Sequence, residues 1–324
     1  APSGGAYYPS VLYDADQFSG YGETYYYKMW FATGDASAMG MACSNDGINW
    51  TVCAFPLSGL KAGGYHCQVL FDPGGFGGNG YFYRMWYWDQ TGSVLYSIDA
   101  IRTAISADGV NWADDRPITQ VGATVITGVS PAWNYGSYGP IALIYNESGS
   151  GTLDDSDVFN NKYAMYYDGT TGGMEQWGLA YSVDGLLWKG YNGGASPVLP
   201  AGSSGSWDDH YAAAGSVFRG AGGNWELWYS GGKSASSEGV GHAVSTDGIN
   251  WTKDALPLTT LGCPATSSSL GCPGSWNDTR NYTPVVLARP FGNECSWQDY
   301  KMWRTGRTSL DGNLKSIGYA SRST

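Results

Sequence analysis

Five times along the chain a strongly aromatic stretch alternates with smaller or polar residues: "YYYKMWFAT" from Tyr25, "YFYRMWYWD" from Tyr81, "KYAMYYDG" from Lys162, "NWELWYSGG" from Asn224 and "DYKMWRTG" from Asp299. Runs of this length and composition, bounded by Gly, Asn, Asp and Ser, predict β-strands. A less aromatic apolar run precedes each of them, "YYPSVLYD", "YHCQVLFD", "YGPIALIY", "YAAAGSVF" and "NYTPVVLA", and predicts a further strand. Four of the five aromatic strands are followed by the phrase Ser-x-Asp-Gly-x-x-Trp, ending at Trp50, Trp112, Trp188 and Trp251, at spacings of 62, 76 and 63 residues. Asp-Gly favours a tight turn, because Gly accepts positive φ and Asp bonds its own backbone. Each phrase therefore predicts strand, turn, strand.

A long repeat carried by strands and turns points to a radial array. The chain is predicted to be all-β, a five-bladed β-propeller with blades of up to four antiparallel strands, in a single domain over residues 1–324. The blades fall at about 6–56, 64–118, 136–192, 208–258 and 278–324, the last cut off after its third strand. Radial repetition leaves only short, protected sheet edges. The tryptophans of the repeated phrase then read as packing between blades, because a packing solution recurs in every blade whereas a site is used once.

Composition narrows the picture. The 324 residues include 15 Trp, 25 Tyr and 49 Gly, and the formal net charge is −11. Nucleic acid is an unsuitable partner for such a chain, since phosphate binding needs clustered Lys and Arg. No apolar run approaches the roughly 18 residues that cross a bilayer. A closed ring needs no second copy, so a monomer is expected. The start at "APSGGAYYP" without Met fits a mature end left by signal-peptide removal. Six Cys suit an oxidising compartment. Cys43 and Cys53 flank the first Asp-Gly turn and Cys263 and Cys272 a Ser-rich loop, while the pairing of Cys67 and Cys295 stays open. Secretion is the expected localisation. The sequons at Asn49, Asn146, Asn250, Asn277 and Asn281 matter only in a eukaryotic source.

Function is expected where the repeats differ, at the starts of the innermost strands, which converge on one end of the axis. They read Ala6-Tyr7-Tyr8-Pro9, Gly64-Tyr65-His66-Cys67, Ser137-Tyr138-Gly139-Pro140, Asp208-Asp209-His210-Tyr211 and Thr279-Arg280-Asn281-Tyr282.

The aromatic "YRMWYW" at Tyr83 to Trp88, "GHAVSTDGINW" at Gly241 to Trp251, and "GSW" before Asp208 and Asn277 resemble the five-bladed propeller glycoside hydrolases, the arabinanase, xylosidase and invertase-like superfamily. The likeness runs over essentially the whole chain and rests on blade-packing motifs, which specify fold more than chemistry. It implies an axial funnel that binds a saccharide, with acids from the first, third and fourth innermost strands as base or nucleophile, pKa modulator and general acid. The chain departs from that pattern. Tyr7-Tyr8-Pro9 stands where the family places an Asp, and Ser137-Tyr138-Gly139 offers no acid.

Glycoside hydrolysis needs an acid for the leaving oxygen and a carboxylate to attack or to activate water. Asp209, Asp278 and His210 are the acid-base candidates, with Asp208 beside them, although Trp207-Asp208 and Trp276-Asn277 also read as turn-capping repeats. Tyr7, Tyr8, His66, Tyr138, Arg280 and Asn281 are expected to position substrate, with Trp133 stacking on a sugar face. Arg280 could clamp a uronic or sialic carboxylate. His242 reads as structural. No cofactor is required. The acidic loop "TLDDSDVFNN" with Asp154, Asp155 and Asp157, and Asp14-Ala15-Asp16, invite a structural calcium ion or are solvated turns. Two rival classes share the pocket: a non-catalytic, lectin-like carbohydrate-binding propeller, and a lyase using Tyr and His on uronic-acid polymers.

Overall fold

The computed structural model describes residues 5–33, 38–76, 80–90, 101–121, 132–220, 223–233, 238–258, 280–288, 300–307 and 315–322. Five sheets form in chain order. The first runs β1 (Ala6–Tyr13), β2 (Tyr27–Thr33), β3 (Met39–Ser44) and β4 (Thr51–Ala54), and the second β5 (Gly64–Phe71), β6 (Tyr83–Asp89), β7 (Ile101–Ser106) and β8 (Trp112–Pro117). The third holds β10 (Gly136–Tyr145), β11 (Tyr163–Thr171), β12 (Met174–Ser182) and β13 (Leu187–Gly190). A two-residue strand, β9 (Thr119–Gln120), adds a fifth member by pairing parallel with β13, which the alternation of apolar runs did not foretell. The fourth is β14 (Tyr211–Arg219), β15 (Trp225–Gly232), β16 (Gly239–Ser245) and β17 (Thr252–Lys253); the fifth is β18 (Arg280–Ala288), β19 (Tyr300–Arg307) and β20 (Lys315–Arg322). The innermost strands neighbour one another in this order and β18 returns to β1, which closes a five-bladed propeller. Among the described residues the last blade has three strands, as expected.

The repeated phrase is both a turn and a joint. In the first blade Asp46 Oδ1 accepts the Ile48 and Asn49 N–H groups at 2.7 Å each, and Ser44 Oγ accepts from Gly47 N at 2.9 Å. These bonds free the Gly47 carbonyl to face the neighbouring blade, where Trp303 Nε1 donates to it at 2.8 Å. Trp30 makes the same bond to Gly109 O (2.8 Å) and Trp86 to Gly185 O (3.0 Å), and the Tyr166 hydroxyl replaces the indole in donating to Gly248 O at 2.6 Å. Trp30, Trp86 and Trp303 are fully buried. Each contributes about 1.5–3 kcal/mol by burial alone.

A second joint lies one position into three of the aromatic strands. Lys301 Nζ donates to the Tyr27 hydroxyl at 2.9 Å and Lys28 Nζ to that of Tyr83 at 2.8 Å, while the Arg84 guanidinium sits over the Tyr163 ring at 5.3 Å. Burial of Lys28 lowers its pKa to about 8. The third blade has Ala164 at this position, and the fourth breaks the series with an acid. Glu226 occupies the cation's position and accepts from the Tyr300 hydroxyl at 3.0 Å. Trp228 Nε1 is buried without a hydrogen-bond partner among the described residues. His242 fills the seam, 4.6 Å from the Trp228 ring, with Nδ1 3.1 Å from Asp254 Oδ2 and Nε2 3.6 Å from Glu226 Oε2.

Candidate active site at the axial funnel

The innermost strands aim side chains into the axis by β-bulges. In blades one, two and five two residues oppose one: Tyr8-Pro9 against Phe31, His66-Cys67 against Tyr87, and Thr283-Pro284 against Arg304. Tyr8 (φ 53), His66 (φ 49) and Thr283 (φ 51) adopt the left-handed region that side chains other than Gly seldom visit. Such bulges re-aim a side chain and recur beside active sites. Here they turn Tyr8, His66 and Thr283 into a funnel of about 320 Å³.

The funnel wall is aromatic on one side. Tyr8 lies 4.7 Å from the Tyr65 ring and 4.5 Å from that of His66, and Tyr65 meets Trp88 edge-on at 5.4 Å. Polar bonds fix the floor: Tyr8 N donates to Thr305 Oγ1 (3.2 Å), the Thr305 and Thr283 hydroxyls pair at 2.7 Å, and Thr283 N donates to Ser230 Oγ at 2.6 Å. Burial, reinforced by the charges around Tyr65, Tyr282 and Glu175, raises the Tyr8 phenol well above its ordinary pKa, so it stays neutral.

The opposite side is acidic. Asp168, Glu175 and Glu238 line the cavity, from the end of β11, the start of β12 and the residue before β16. Asp168 is 2% exposed, and its Oδ1 is buried with no hydrogen-bond partner among the described residues. Burial, and then the charge and hydrogen bond of Glu175, push the Asp168 carboxyl well above the usual carboxylate range. Both effects favour the protonated form of Asp168. Glu238 is buried at 7% exposure, and its carbonyl accepts from Asn281 N.

None of these three acids is among the sequence candidates, yet each sits at a register position that the repeats define. Asp168 is five residues after the first aromatic of its strand, where the other blades have Ala32, Trp88, Ser230 and Thr305. Glu175 and Glu238 each lie seven residues before the serine of the repeated phrase, Ser182 and Ser245. They are the same position in neighbouring blades.

The sequence candidates divide. Tyr8 and His66 line the funnel, Tyr7 packs 4.9 Å from Tyr8 beneath it, and Asn281 is buried beside Glu238. Asp208 is buried outside the cavity lining, accepting from Tyr229 Oη (2.8 Å), Lys253 Nζ (2.7 Å) and Ser206 Oγ (3.0 Å). Burial opposes its ionisation, but the Lys253 and Tyr229 bonds win and hold the carboxyl below its usual range. Asp209 accepts from Gly205 N at 2.8 Å on the outer loop, and His210 is exposed; neither lines the cavity. Trp133 covers Gly169 and stacks 6.1 Å from Tyr167, as Trp207 covers Gly231 and packs 5.7 Å from Tyr229. With Asn134 reaching the Tyr167 hydroxyl as Asp208 reaches that of Tyr229, Trp133-Asn134 and Trp207-Asp208 are one packing element used twice. Asp278 lies outside the described residues, as do the side chains of Tyr138 and Arg280.

In the loop read as calcium-binding, Asp154 bonds Ser156 and Asn160, and Asp155 bonds Lys189 and the Tyr181 hydroxyl. Cys43 and Cys53 form the expected disulfide, and Cys67 is a buried thiol raised to about 12 by burial. Among the described residues no helix is long and apolar enough to cross a membrane.

No family model matches the chain, and no curated protein matches it in sequence. Solved structures do match in fold. An N-acetylgalactosamine deacetylase from F. plautii, crystallised with blood group B trisaccharide, aligns over 98% of this chain and 89% of its own at 16% identity and a TM-score of 0.65. A glycosyl hydrolase from Bacteroides ovatus aligns over 100% and 86% at 18% identity and a TM-score of 0.64. A thermostable family-43 glycoside hydrolase aligns over 98% and 89% at 15% identity and a TM-score of 0.57. The chain thus shares the five-bladed fold on which glycoside hydrolases are built.

Proposed function

We propose that the protein is an extracellular glycoside hydrolase that cleaves a saccharide held in the axial funnel. One observation carries the reading: a buried carboxyl, Asp168, beside Glu175, with an oxygen unpartnered among the described residues, in a cavity that a second blade furnishes with Glu238. Titratable groups driven apart by their surroundings mark acid and base roles. The fold relatives that are hydrolases, and the one crystallised with a trisaccharide, support a carbohydrate substrate. The Cys43–Cys53 disulfide supports an extracellular setting.

Asp168 gives its proton to the glycosidic oxygen as the bond from the anomeric carbon breaks. Glu238 takes a proton from the water that attacks that carbon, or attacks it directly and is displaced by water. The proton taken from water passes to solvent and Asp168 regains one from solvent, a return favoured because the Glu175 charge makes the doubly ionised pair costly. Trp88, Tyr65 and His66 hold the sugar ring. The neutral Tyr8 phenol supports a positioning role over that of the base in a lyase.

The test is release of reducing ends across a panel of oligosaccharides by the wild type, Asp168→Asn, Glu238→Gln and Asp209→Asn. The first two variants are expected to lose at least about a hundredfold in rate, the scale of a general acid or base, and the third to keep its activity. Undiminished turnover by Asp168→Asn and Glu238→Gln overturns the assignment, and sugar binding without turnover by the wild type gives the site to a carbohydrate-binding propeller.

A further inference from the structure

The rings of the funnel wall come from a position that the blades share, and blade four lacks one. Tyr7, Tyr65, Ala213 and Tyr282 pair with Ala32, Trp88, Ser230 and Thr305 of their second strands, so three blades carry Tyr where the fourth carries a methyl group. The next residue repeats the contrast, with Tyr8, His66 and Thr283 against Ala214. In blade three the position is Gly139, opposite Asp168, and packing explains it: a Cβ there would lie 2.8 Å from that of Trp88. Ala213 and Ala214 instead line the cavity. Their strand is held by its carbonyls, Ala213 O accepting from Trp177 Nε1 at 3.1 Å and Ala214 O from Ser230 Oγ at 3.0 Å, bonds that do not depend on the side chains. Neither Ala has the left-handed backbone of Tyr8 and His66, so the main chain does not demand a small residue there. The wall of blade four is therefore set back. The recess shares the cavity with Asp168, which is 2% exposed and whose Oδ1 has no hydrogen-bond partner among the described residues. A buried acceptor of that kind points to a partner that arrives with the ligand.

We propose that Ala213 sets the specificity of the funnel: the recess it leaves on blade four seats a sugar ring beside Asp168, and its depth decides which ring substituents fit. The proposal rests on the reading of the funnel as a saccharide site. The ring then sits off the axis, against blades three and four, with Tyr65, His66 and Trp88 on its other side. A recess lined by methyl groups discriminates by shape, and one methylene too many in such a pocket costs about 10–200-fold in kcat/KM.

The experiment measures kcat, KM and melting temperature for the wild type, Ala213→Gly, Ala213→Val and Ala213→Tyr, with 4-nitrophenyl xylosides, glucosides, galactosides and N-acetylglucosaminides of both anomers and with the oligosaccharide panel. On the substrate that the wild type prefers, Ala213→Val is expected to lower kcat/KM at least about tenfold, mainly by raising KM, and Ala213→Tyr to abolish turnover. Ala213→Gly is expected to narrow the preference of the wild type over bulkier substrates. Melting temperatures should stay within about 4 °C of the wild type, because Tyr is what three other blades carry at this position. The proposal is overturned if kcat/KM is alike across the folded variants, if the loss falls on kcat with KM unchanged, or if neither Ala213→Val nor Ala213→Tyr folds, which would mean that the protein itself fills the recess. Turnover that is indifferent to residue 213 removes this inference alone. If the wild type cleaves nothing, the hydrolase reading falls, and calorimetry with the matching methyl glycosides decides this one: affinity that weakens from Ala213→Gly through the wild type to Ala213→Val keeps it, and equal or absent binding removes it.

Discussion

Trp303 in the last blade donates its indole N–H to the carbonyl of Gly47 in the first, at 2.8 Å, and so closes the ring with the bond that Trp30 and Trp86 use between consecutive blades. Closure needs no special device; it repeats a joint already present. Trp303→Phe keeps a ring in the buried site but removes one of the two donors to Gly47 O, leaving the Trp50 indole at 3.1 Å. A loss of about 0.5–1.5 kcal/mol is expected, the net worth of one hydrogen bond, read as a lower urea midpoint with an unchanged slope.

Asp168 sets activity against stability. Its folded pKa lies above the value of 3.8 that it has when exposed, so the native state is penalised as pH rises from that value through the raised pKa. Asp168→Asn is expected to abolish turnover and to raise stability at neutral pH by about 1 kcal/mol, the order of one buried polar group relieved of charge. A melting temperature that falls with the activity would give Asp168 a structural role instead.

The seam between the fourth and fifth blades carries a pH dependence of its own. Burial pulls the His242 pKa down, but Glu226 and Asp254 outweigh it and the net shift is upward from 6.5. A raised basic group stabilises fully below its unfolded pKa, and the benefit is lost as pH rises through the folded one. Thermal stability is therefore expected to decline above about pH 6.5 in the wild type, and His242→Gln to flatten that part of the profile. An identical profile in the variant refutes the assignment.

Asp208 and Asp209 are adjacent and should behave oppositely to a simple active-site reading. Asp208→Ala leaves the Lys253 ammonium and the Tyr229 hydroxyl without their acceptor and is expected to cost about 3–5 kcal/mol, as for a broken buried ion pair. Asp209→Ala loses one exposed bond to Gly205 N and should shift stability by no more than about 0.5 kcal/mol. Turnover per folded molecule should survive in both.

Blade packing was legible in the chain because it repeats. Gly47, Gly109, Gly185 and Gly248 each occupy the same place in the phrase and do the same work, so four copies announce the fold. The acids were harder to see for a geometric reason. Each blade presents three strand ends to the funnel, and inspection of the first strand alone finds Tyr8 and His66 but passes over Asp168 at the second and Glu175 and Glu238 at the third. The signal was present as a variable position in a constant frame, with Ala32, Trp88, Asp168, Ser230 and Thr305 in one register. Asp208 misled for the opposite reason: it looked singular, but it belongs to a tryptophan-and-cap element that Trp133-Asn134 repeats.

Joints of unequal kind give the ring preferred places to open. Among the described residues Trp228 Nε1 has no partner and Glu226 stands in place of a cation, so the fourth seam is expected to loosen first. That seam adjoins the funnel, through Asn281 N to Glu238 O and Thr283 N to Ser230 Oγ. Amide exchange should therefore be fastest among the sheet amides along β16 and β18, and the motion it reports loosens the wall that carries Glu238. The seam that departs furthest from the others thus lies beside the cavity.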